Sequence, residues 1–559
     1  MKRAFALTIA VLAALAIAAA KKTSDVPPAV ERAKTLFRAD AIAAHDKFLA
    51  SDLLEGRGPG TRGDALAEEY IATELQSYGL KPGGDNGTYF QKVPLIGVTY
   101  DPAKSSIAFT RDGATVAGPL KYLDEFVAAD ASQTPSSTLD SDVIFVGHGV
   151  VAPEYRWDDY KGVDVRGKTL VMLVDDPPAS ASEPDLFKGR ARTYYGRWTY
   201  KYEIGAAKGA LGVILIHTDE AAGYGWQVVR NSWGREQDFI GLKPGQPALH
   251  LESWITGKVA NDLFRAAGQD LAALTKAAAS RDFRPLPLGV RLTGTITSTL
   301  RPFDTRNVVA RLEGSDPKLR SEAVLYSAHH DHLGIGTPDS TGDRIYNGAV
   351  DNASGTALLL EMARVWANTR PAPKRTVLFN SVAAEEQGLL GSEWFGENPT
   401  MAAGKIALAI NYDGLFEFGK VGSVTMLGVE RMSFDPTAER VAKAMNLKIV
   451  PDQDPEQGHY YRSDHFSFAK AGIPAFSISQ GHDILGKPAD YGRKLADEYR
   501  AKHYHQPSDE FDPNWDWSSA VQLGQFGFWL GWDAANAAQM PNWKPGDEFR
   551  AARDRSLAH

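Results

Sequence analysis

Histidine and carboxylate residues gather in three short clusters between Ser327 and Gly388. The clusters read SAHHDHLG, NGAVDNASG and VAAEEQG, and two later motifs add Asp413 in NYDG and His505 in YHQPSDE. The chain contains no cysteine. Nitrogen and oxygen ligands drawn from several loops suit a hydrolytic pair of metal ions better than a structural zinc site. The sequence therefore predicts a two-metal centre.

The first cluster, HHDH, follows an apolar stretch that is typical of a strand. Strand alternation places His329 and Asp331 on one face and His330 and His332 on the other. A metal-bound imidazole needs its second nitrogen held by a carboxylate, which favours His329 as a ligand and Asp331 as the residue that orients it. Taken alone, His330 and His332 are interpreted as surface histidines.

Carboxylates supply the next two clusters. Asp351 precedes a predicted helix, and its two oxygens can each bind one metal ion and hold a pair of ions about 3.5–4 Å apart. The isolated motif also fits a helix N-cap. Glu385 and Glu386 follow an apolar strand and point in different directions, so one can bind metal while the other takes a proton from water. Solvated loop charge is the alternative interpretation of this pair.

The later motifs are weaker when each is taken alone. Asp413 ends a predicted strand, and His505 lies in a proline-containing loop directly after Tyr504. Tyr504 can offer its phenol hydroxyl to the oxyanion that develops during hydrolysis. In HYYRSDHFSF, His465 is interpreted as part of a structural polar loop.

The clusters lie where predicted strands end. EAVLYSA, TVLFNSVA and KIALAINY are apolar strands, and they alternate with helices such as TALLLEMARVWAN. This alternation predicts an α/β layer fold with a mostly parallel sheet, in which ligands bind beyond the carboxyl ends of the strands. Helices are also expected from Val26 to Leu54 and from Asp64 to Tyr78. Short β-rich segments from Asp101 onward indicate a separate lobe.

Length and charge narrow the class of protein further. The 559 residues are 43% hydrophobic and 23% charged, a globular composition for more than one lobe. The formal net charge is -8, and no basic stripe is present, which argues against nucleic acid and anionic lipid as partners. Without cysteine, the core must stabilise the chain with no help from disulfides.

The N-terminus resembles a secretory signal. Lys2 and Arg3 precede an apolar, alanine-rich run from Ala4 to Ala20. This pattern predicts cleavage and export to the periplasm or the extracellular space, with no stable membrane insertion afterwards. An uncleaved anchor is the alternative, but the run is short of the roughly 20 strongly apolar residues that a stable span needs.

The motifs, in this order, carry a family resemblance. HxD in SAHHDHLG, DNASG, EE, YD and YHxPxDE resemble the secreted di-zinc exopeptidases that include bacterial leucyl aminopeptidase and vacuolar aminopeptidase Y, with glutamate carboxypeptidase II as a relative. The resemblance runs from Thr305 to about Leu530. It implies a three-layer, phosphorylase/hydrolase-like zinc exopeptidase fold with a mixed, mostly parallel sheet.

The resemblance also implies a division of the chain. VIFVGHGVV and GAAKGALGVILIHT look like parts of an inserted, β-rich protease-associated domain. The implied segments are a signal peptide at 1–20, the N-terminal part of the peptidase domain at 21–105, the inserted domain at 106–295 and the catalytic zinc peptidase domain at 296–559.

Each site residue receives a role from the resemblance. One zinc ion would be bound by His329, Asp351 and Asp413, and the other by Asp351, Glu386 and His505. Glu385 would be the general base, Asp331 would orient His329, and Tyr504 would stabilise the tetrahedral intermediate. Arg462 would contact the substrate, and the peptide bond after the bridging aspartate would be cis. Manganese or cobalt can replace zinc in such oxygen-rich sites.

The predicted function is an exported zinc aminopeptidase that acts on peptides. A carboxypeptidase or an amidohydrolase of the same fold is a competing hypothesis, because the metals alone do not decide which end of a peptide substrate the enzyme recognises. A basic pocket for a terminal carboxylate would discriminate between the two. A receptor-like binding module and a one-zinc glutaminyl cyclase are two further hypotheses. The inserted lobe is expected to favour short peptides over folded proteins.

Overall fold

Four parallel strands form the centre of the main sheet. In the computed structural model, which describes residues 26–415 and 418–558, their order is Thr376–Val382, Ala323–His329, Ile406–Asn411 and Ala475–Gln480. Antiparallel strands extend both sides, Leu286–Leu312 on one and Ser423–Leu427 on the other. The same sheet also contains Lys81–Pro82, Phe90–Tyr100, Gln237–Ile240 and Lys448–Val450. The prediction of an α/β fold with a mixed, mostly parallel sheet is confirmed.

Helices cover both faces of this sheet. Three of the four parallel strands are buried along their whole length, which is what continuous apolar runs require in a parallel sheet. On one face the core includes the helices Ser354–Asn368 and Ser518–Asn536. On the other face it includes the short helices Leu390–Glu397 and His465–Lys470. The strand ends are therefore held between two helical layers.

The helix Ser518–Asn536 approaches the sheet unusually closely. A Cβ atom on Gly527 would lie 1.8 Å from Tyr412 Oη, and one on Gly531 would lie 1.8 Å from Tyr326 Oη. Tyr326 also donates a hydrogen bond to the carbonyl oxygen of Gly527 over 3.0 Å. Only glycine leaves room for these two tyrosines, which lie in or directly after strands that lead to the polar clusters.

Most of the strands and helices between residues 106 and 297 form a second sheet and its covering helices, which we call the second lobe. The long strand Leu286–Leu312 joins the two sheets, because its first part pairs with Ser136–Phe145 and its later part with Phe90–Tyr100. The other strands of the second sheet are Ser106–Arg111, Ala114–Ala117, Phe126–Ala129, Thr169–Leu173, Gly212–His217 and Leu251–Thr256. The helices of this lobe are Trp198–Ala207, Asp219–Ala222, Trp226–Trp233, Gly257–Ala266 and Leu271–Ala278.

The N-terminal segment is less continuous than its pattern predicts. The expected helix from Val26 to Leu54 is two helices, Pro28–Lys34 and Ala39–Leu49. The break occurs because Arg38 is extended and its backbone N–H donates to the carboxylate of Glu361 rather than continuing the helix. The next helix spans Arg62–Ser77, with Thr61 as its N-cap, close to the predicted range.

The other helices described are Asp435–Ala444, Tyr491–Lys502 and Arg550–Leu557. Two short antiparallel pairs, Gly334–Ile335 with Ile345–Tyr346 and Val151–Ala152 with Trp157–Asp158, lie outside the two sheets. The predicted signal peptide falls on residues that the structure does not describe. Within the part of the chain that it describes, no helix combines the length and the apolar character needed to cross a lipid bilayer.

Candidate metal centre

The structure brings the five predicted metal ligands together at the carboxyl edge of the main sheet. His329 is the last residue of one central strand, and Glu386 and Asp413 follow the strands on either side of it. Asp351 precedes a helix, and His505 follows another. Parallel strands end at a common edge, so these side chains meet although they are far apart in the sequence.

Asp351 lies between the two histidines. Its Oδ1 is 3.3 Å from His329 Nε2, and its Oδ2 is 3.3 Å from His505 Nε2. Asp413 Oδ1 is also 3.3 Å from His329 Nε2, and Glu386 Oε2 is 3.1 Å from His505 Nε2. The side chains thus form two halves, each with one histidine, one carboxylate of its own and one oxygen of Asp351.

The two adjacent glutamates fall into different halves. Glu385 offers an oxygen that lies within 4.8 Å of ligand atoms of His329 and Asp413, whereas Glu386 groups in the same way with Asp351. Ala384, just before this pair, has a φ of 53°, and this left-handed turn ends the extended run of the strand. The turn directs the neighbouring carboxylates to separate sides of the site.

The interpretation of His330 and His332 as surface histidines is wrong. Both are buried, and His332 Nδ1 lies 2.7 Å from Glu386 Oε1. His330 points away from the site toward Asp64, with 3.5 Å between its Nε2 and Asp64 Oδ1. Strand alternation fails here because the strand ends at His329 and the chain turns directly afterwards. The histidine content of the motif alone gave no means of separating a ligand from its buried neighbours.

Burial and charge give the two glutamates opposite proton affinities. Burial raises the pKa of Glu385 well above its usual range. The nearby His329 acts to lower this pKa, and Asp413 acts to raise it further. Burial acts in the same direction on Glu386, but His505 and His332 outweigh it and lower the pKa of that carboxyl. Burial would lower the pKa of His505, yet Glu386 and Asp351 raise it to about 10. Glu386 is therefore suited to act as an anionic ligand and Glu385 to hold a proton.

The donor set fits a pair of zinc ions. It consists of imidazole nitrogens and carboxylate oxygens, which zinc binds readily. Glu386 Oε1 and His505 Nε2 are buried and lack an aligned hydrogen-bond partner although charged groups surround them. Four carboxylates share this space with few cationic groups, and buried anions need compensating positive charge. Two divalent cations would supply it.

Asp331 and Asp509 hold the ligand-bearing loops from behind. The carboxylate of Asp331 accepts hydrogen bonds from the backbone N–H groups of Glu385 and Glu386 over 3.0 and 3.2 Å, and its Oδ1 lies 3.7 Å from His329 Nδ1. The carboxylate of Asp509 accepts from the backbone of Asp351 over 3.2 Å. The peptide bond after Asp351 is cis. Asp509 belongs to the motif YHQPSDE, but the sequence analysis predicted no role for it.

Arg57 is a site residue that sequence reasoning missed entirely. Its side chain is fully buried and donates to the backbone carbonyls of Leu49, His330, Asn347 and Gly348 over 2.5, 2.7, 2.6 and 3.0 Å. It thereby connects the N-terminal segment to the loops before His332 and before Asp351. All of its acceptors are backbone atoms, so no residue type in the sequence could mark the contact.

The remaining predicted residues lie at the rim. Tyr504 is 46% exposed, and its ring stacks on that of His505 at a centroid distance of 3.9 Å. Arg462 is half-buried, and its Nη2 donates to Gln457 Oε1 over 3.5 Å. His465 is buried against the ring of Tyr460, and burial lowers its pKa to about 3. This placement agrees with a structural role for His465.

Part of the chain is similar to a known family of peptidases. Residues 307–526 match the model of peptidase family M28. This segment contains every predicted metal ligand and Glu385. The match therefore supports a peptidase over the segment that carries the candidate site.

Particular relatives match shorter stretches. A protein from Pyrenophora teres f. teres (strain 0-1) described as "Probable zinc metalloprotease" is 39% identical over 112 residues, which cover 20% of this chain and 23% of that protein. Leupeptin-inactivating enzyme 1 from Streptomyces exfoliatus is 30% identical over 194 residues, which cover 34% of this chain and 40% of the relative. The chain thus spans less than half the length of these relatives.

Some solved structures align with most of the length of this chain. An aminopeptidase from Aneurinibacillus sp. strain AM-1 aligns with 93% of this chain and 98% of its own, at a TM-score of 0.49 and 18% identity. A zinc aminopeptidase from Bacillus subtilis aligns with 90% of this chain and 97% of its own, at a TM-score of 0.42 and 17% identity.

Proposed function

We propose that this protein is an exported zinc aminopeptidase that removes N-terminal residues from peptides. The observation that carries the proposal is the position of Asp351, whose two oxygens each lie 3.3 Å from a different histidine nitrogen. The family match over residues 307–526 supports the peptidase class. Export rests on the signal-like pattern from Lys2 to Ala20 in the sequence.

The proposed centre holds two zinc ions. His329, Asp351 and Asp413 would bind one, and Asp351, Glu386 and His505 the other. When bound, zinc polarises a carbonyl oxygen and lowers the pKa of water. Asp331 would keep His329 in the orientation in which Nε2 faces the site, because its backbone carbonyl oxygen lies 3.3 Å from Nδ1 and its carboxylate 3.7 Å from the same atom.

Glu385 is the proposed general base. Its carboxylate would take a proton from the attacking water and then give it to the nitrogen of the departing amine. Burial favours the protonated form of this carboxyl, so it can hold the proton between the two transfers. Tyr504, whose ring stacks on His505, would donate its hydroxyl to the developing oxyanion.

The amino terminus is the end of the peptide that we assign to the site. The resemblance to aminopeptidases supports this assignment. Residues 106–295 are assigned in this proposal to an inserted protease-associated domain that narrows access. Short peptides are then preferred over folded proteins.

Purified protein of known metal content tests the proposal. We expect two zinc ions per chain and hydrolysis of leucine p-nitroanilide, lost with a chelator and restored by zinc. The acetyl-blocked anilide should resist cleavage. Cleavage of acetyl-blocked dipeptides at their free carboxyl end would instead identify a carboxypeptidase. A zinc-loaded protein that cleaves none of these substrates would identify a binding module.

A further inference from the structure

His332 is a buried histidine that the proposed roles at the metal centre leave unused. Its side chain is fully buried, and its Nδ1 lies 2.7 Å from Glu386 Oε1. This distance is in the range of contacts between an N–H group and a carboxylate, although the ring and the carboxylate are not aligned for an ideal hydrogen bond. His332 therefore covers the side of Glu386 on which Oε1 lies.

The two carboxylate oxygens of Glu386 face different partners. Oε1 is buried against His332, whereas Oε2 lies 3.1 Å from Nε2 of the proposed ligand His505. The backbone N–H of Glu386 donates a hydrogen bond to Asp331 Oδ2 over 3.2 Å, so the start of the side chain is also held in place. Only Oε2 is thus turned toward the metal side of the site.

The ring of His332 is fixed by its surroundings. Its backbone N–H donates a hydrogen bond to the carbonyl oxygen of Arg57 over 3.2 Å. A Cβ atom on Gly348 would lie 2.6 Å from two carbon atoms of the ring, so the ring packs directly against the backbone of the loop that leads to Asp351. His332 cannot swing away from Glu386 on this side without moving that loop.

The other buried histidine of the same motif makes no such contact. His330 points away from the site, with its Nδ1 at 3.1 Å from Ser381 Oγ and its Nε2 at 3.5 Å from Asp64 Oδ1. The two histidines are equally buried and lie two residues apart. The contact of His332 with Glu386 is therefore a property of its position and does not follow from burial alone.

We propose that His332 is a positioning residue that makes Glu386 a one-oxygen metal ligand, by holding Oε1 and leaving Oε2 to bind the ion. The inference rests on the proposed two-zinc centre and specifies how one of its ligands binds. A carboxylate that binds through one oxygen fills one coordination position instead of two. A catalytic zinc ion needs a position that stays open to water or substrate. His332 keeps such a position open.

Crystal structures of the zinc-loaded protein and its variants test this assignment without turnover. Zinc–oxygen bonds are about 2.0–2.2 Å long. In the wild type we expect Glu386 Oε2 at this distance and Oε1 outside it. In His332→Ala the released carboxylate should rotate and bring both oxygens to bonding distance. His332→Asn, whose amide nitrogen can take the place of Nδ1, should restore the arrangement of the wild type.

Zinc affinity is measured on the same variants by competition with a chelator. His332→Ala should weaken the binding of one of the two zinc ions by about tenfold to a hundredfold, because the ligand loses the group that holds it in place. His332→Asn should recover most of this loss. His330→Ala is the matched control, since it removes an equally buried histidine that does not touch Glu386, and it should change neither the geometry nor the affinity.

One-oxygen binding of Glu386 that persists in His332→Ala, or an equal effect of His330→Ala, would overturn the proposal. A direct bond between zinc and His332 in the wild type would also overturn it, because the residue would then be a ligand. Failure of the zinc-loaded wild type to hydrolyse leucine p-nitroanilide would count against the proposed function instead, since the metal geometry is determined without turnover.

Discussion

Adjacent glutamates with opposite proton affinities are the main chemical feature of the site. Glu386 is kept ionised by His505 and His332, whereas burial favours the protonated form of Glu385. A ligand and a proton carrier need these opposite properties. The turn at Ala384 contributes to the difference, because Glu385 lies beside His329 and Asp413 whereas Glu386 lies beside His505 and His332.

Replacement of Glu385 by glutamine tests whether this residue is the general base or a metal ligand. We expect Glu385→Gln to retain both zinc ions and to lower kcat for leucine p-nitroanilide by about 100- to 10,000-fold, because glutamine cannot accept the proton. Zinc is measured by mass spectrometry on the same preparation. Glu397→Gln, at an exposed glutamate nearby, is the control and should be fully active. Loss of zinc from Glu385→Gln would make this residue a ligand.

The zinc content of two variants tests the proposal that Asp351 binds both metal ions. Asp351→Asn should lower the content of both zinc ions, because each half of the centre uses one of its oxygens. His505→Ala should lower it to about one ion per chain, because only one half loses a ligand. The measurement is zinc per chain after dialysis against zinc buffered at a fixed free concentration. Equal loss in the two variants would contradict the assignment of ligands to halves.

At the scale of elements, a single buried arginine joins segments that are distant in sequence. Arg57 donates to four backbone carbonyls, including those of His330 and Gly348 next to the ligand loops. Arg57→Met should lower the free energy of unfolding by about 3 kcal/mol, because it leaves these carbonyls and the buried Asp46 without their cation. It should also reduce zinc affinity. Urea unfolding measures the first effect, and titration with a zinc indicator measures the second.

The control for this prediction is Arg62→Met. Arg62 is 71% exposed and pairs with Glu55 at 3.8 Å, so its removal should change the free energy of unfolding by less than about 0.5 kcal/mol. If the two variants unfold at the same urea concentration, Arg57 does not hold the loops.

Elements with strong local patterns were predictable from the sequence. The four parallel strands and the helix Ser354–Asn368 follow from their apolar runs, because burial on both faces selects such runs. The break at Arg38 was not predictable, because it depends on a hydrogen bond to Glu361, which is distant in sequence. The burial of His332 was missed for a similar reason, since the turn after the strand and not the strand itself orients this residue.

At the scale of the whole molecule, the second lobe contains a half-buried acid that makes stability depend on pH. Burial, with Glu203 and Asp130 nearby, raises the pKa of Glu252 from 4.5 to about 8. The folded state thus binds this proton more tightly than the unfolded state. The resulting stabilisation is complete below pH 4.5 and is lost as the pH rises toward and through about 8.

Glu252→Gln removes this dependence, because glutamine does not ionise. The melting temperatures of variant and wild type should be similar at pH 4.5, and the variant should melt increasingly higher as the pH approaches 8. Differential scanning calorimetry across this range provides the measurement, with the exposed Glu220→Gln as control. A constant difference between variant and wild type at every pH would contradict the assigned shift.

The residues that build the candidate metal centre are spread from the N-terminal segment to His505. Arg57, which secures the ligand loops, is synthesised early, and His505 is synthesised late. A polypeptide without the segment that carries His505 lacks one residue of the candidate metal centre. Under the proposed function it cannot hydrolyse peptides. Under the proposed function, hydrolysis would therefore begin only after synthesis has passed His505.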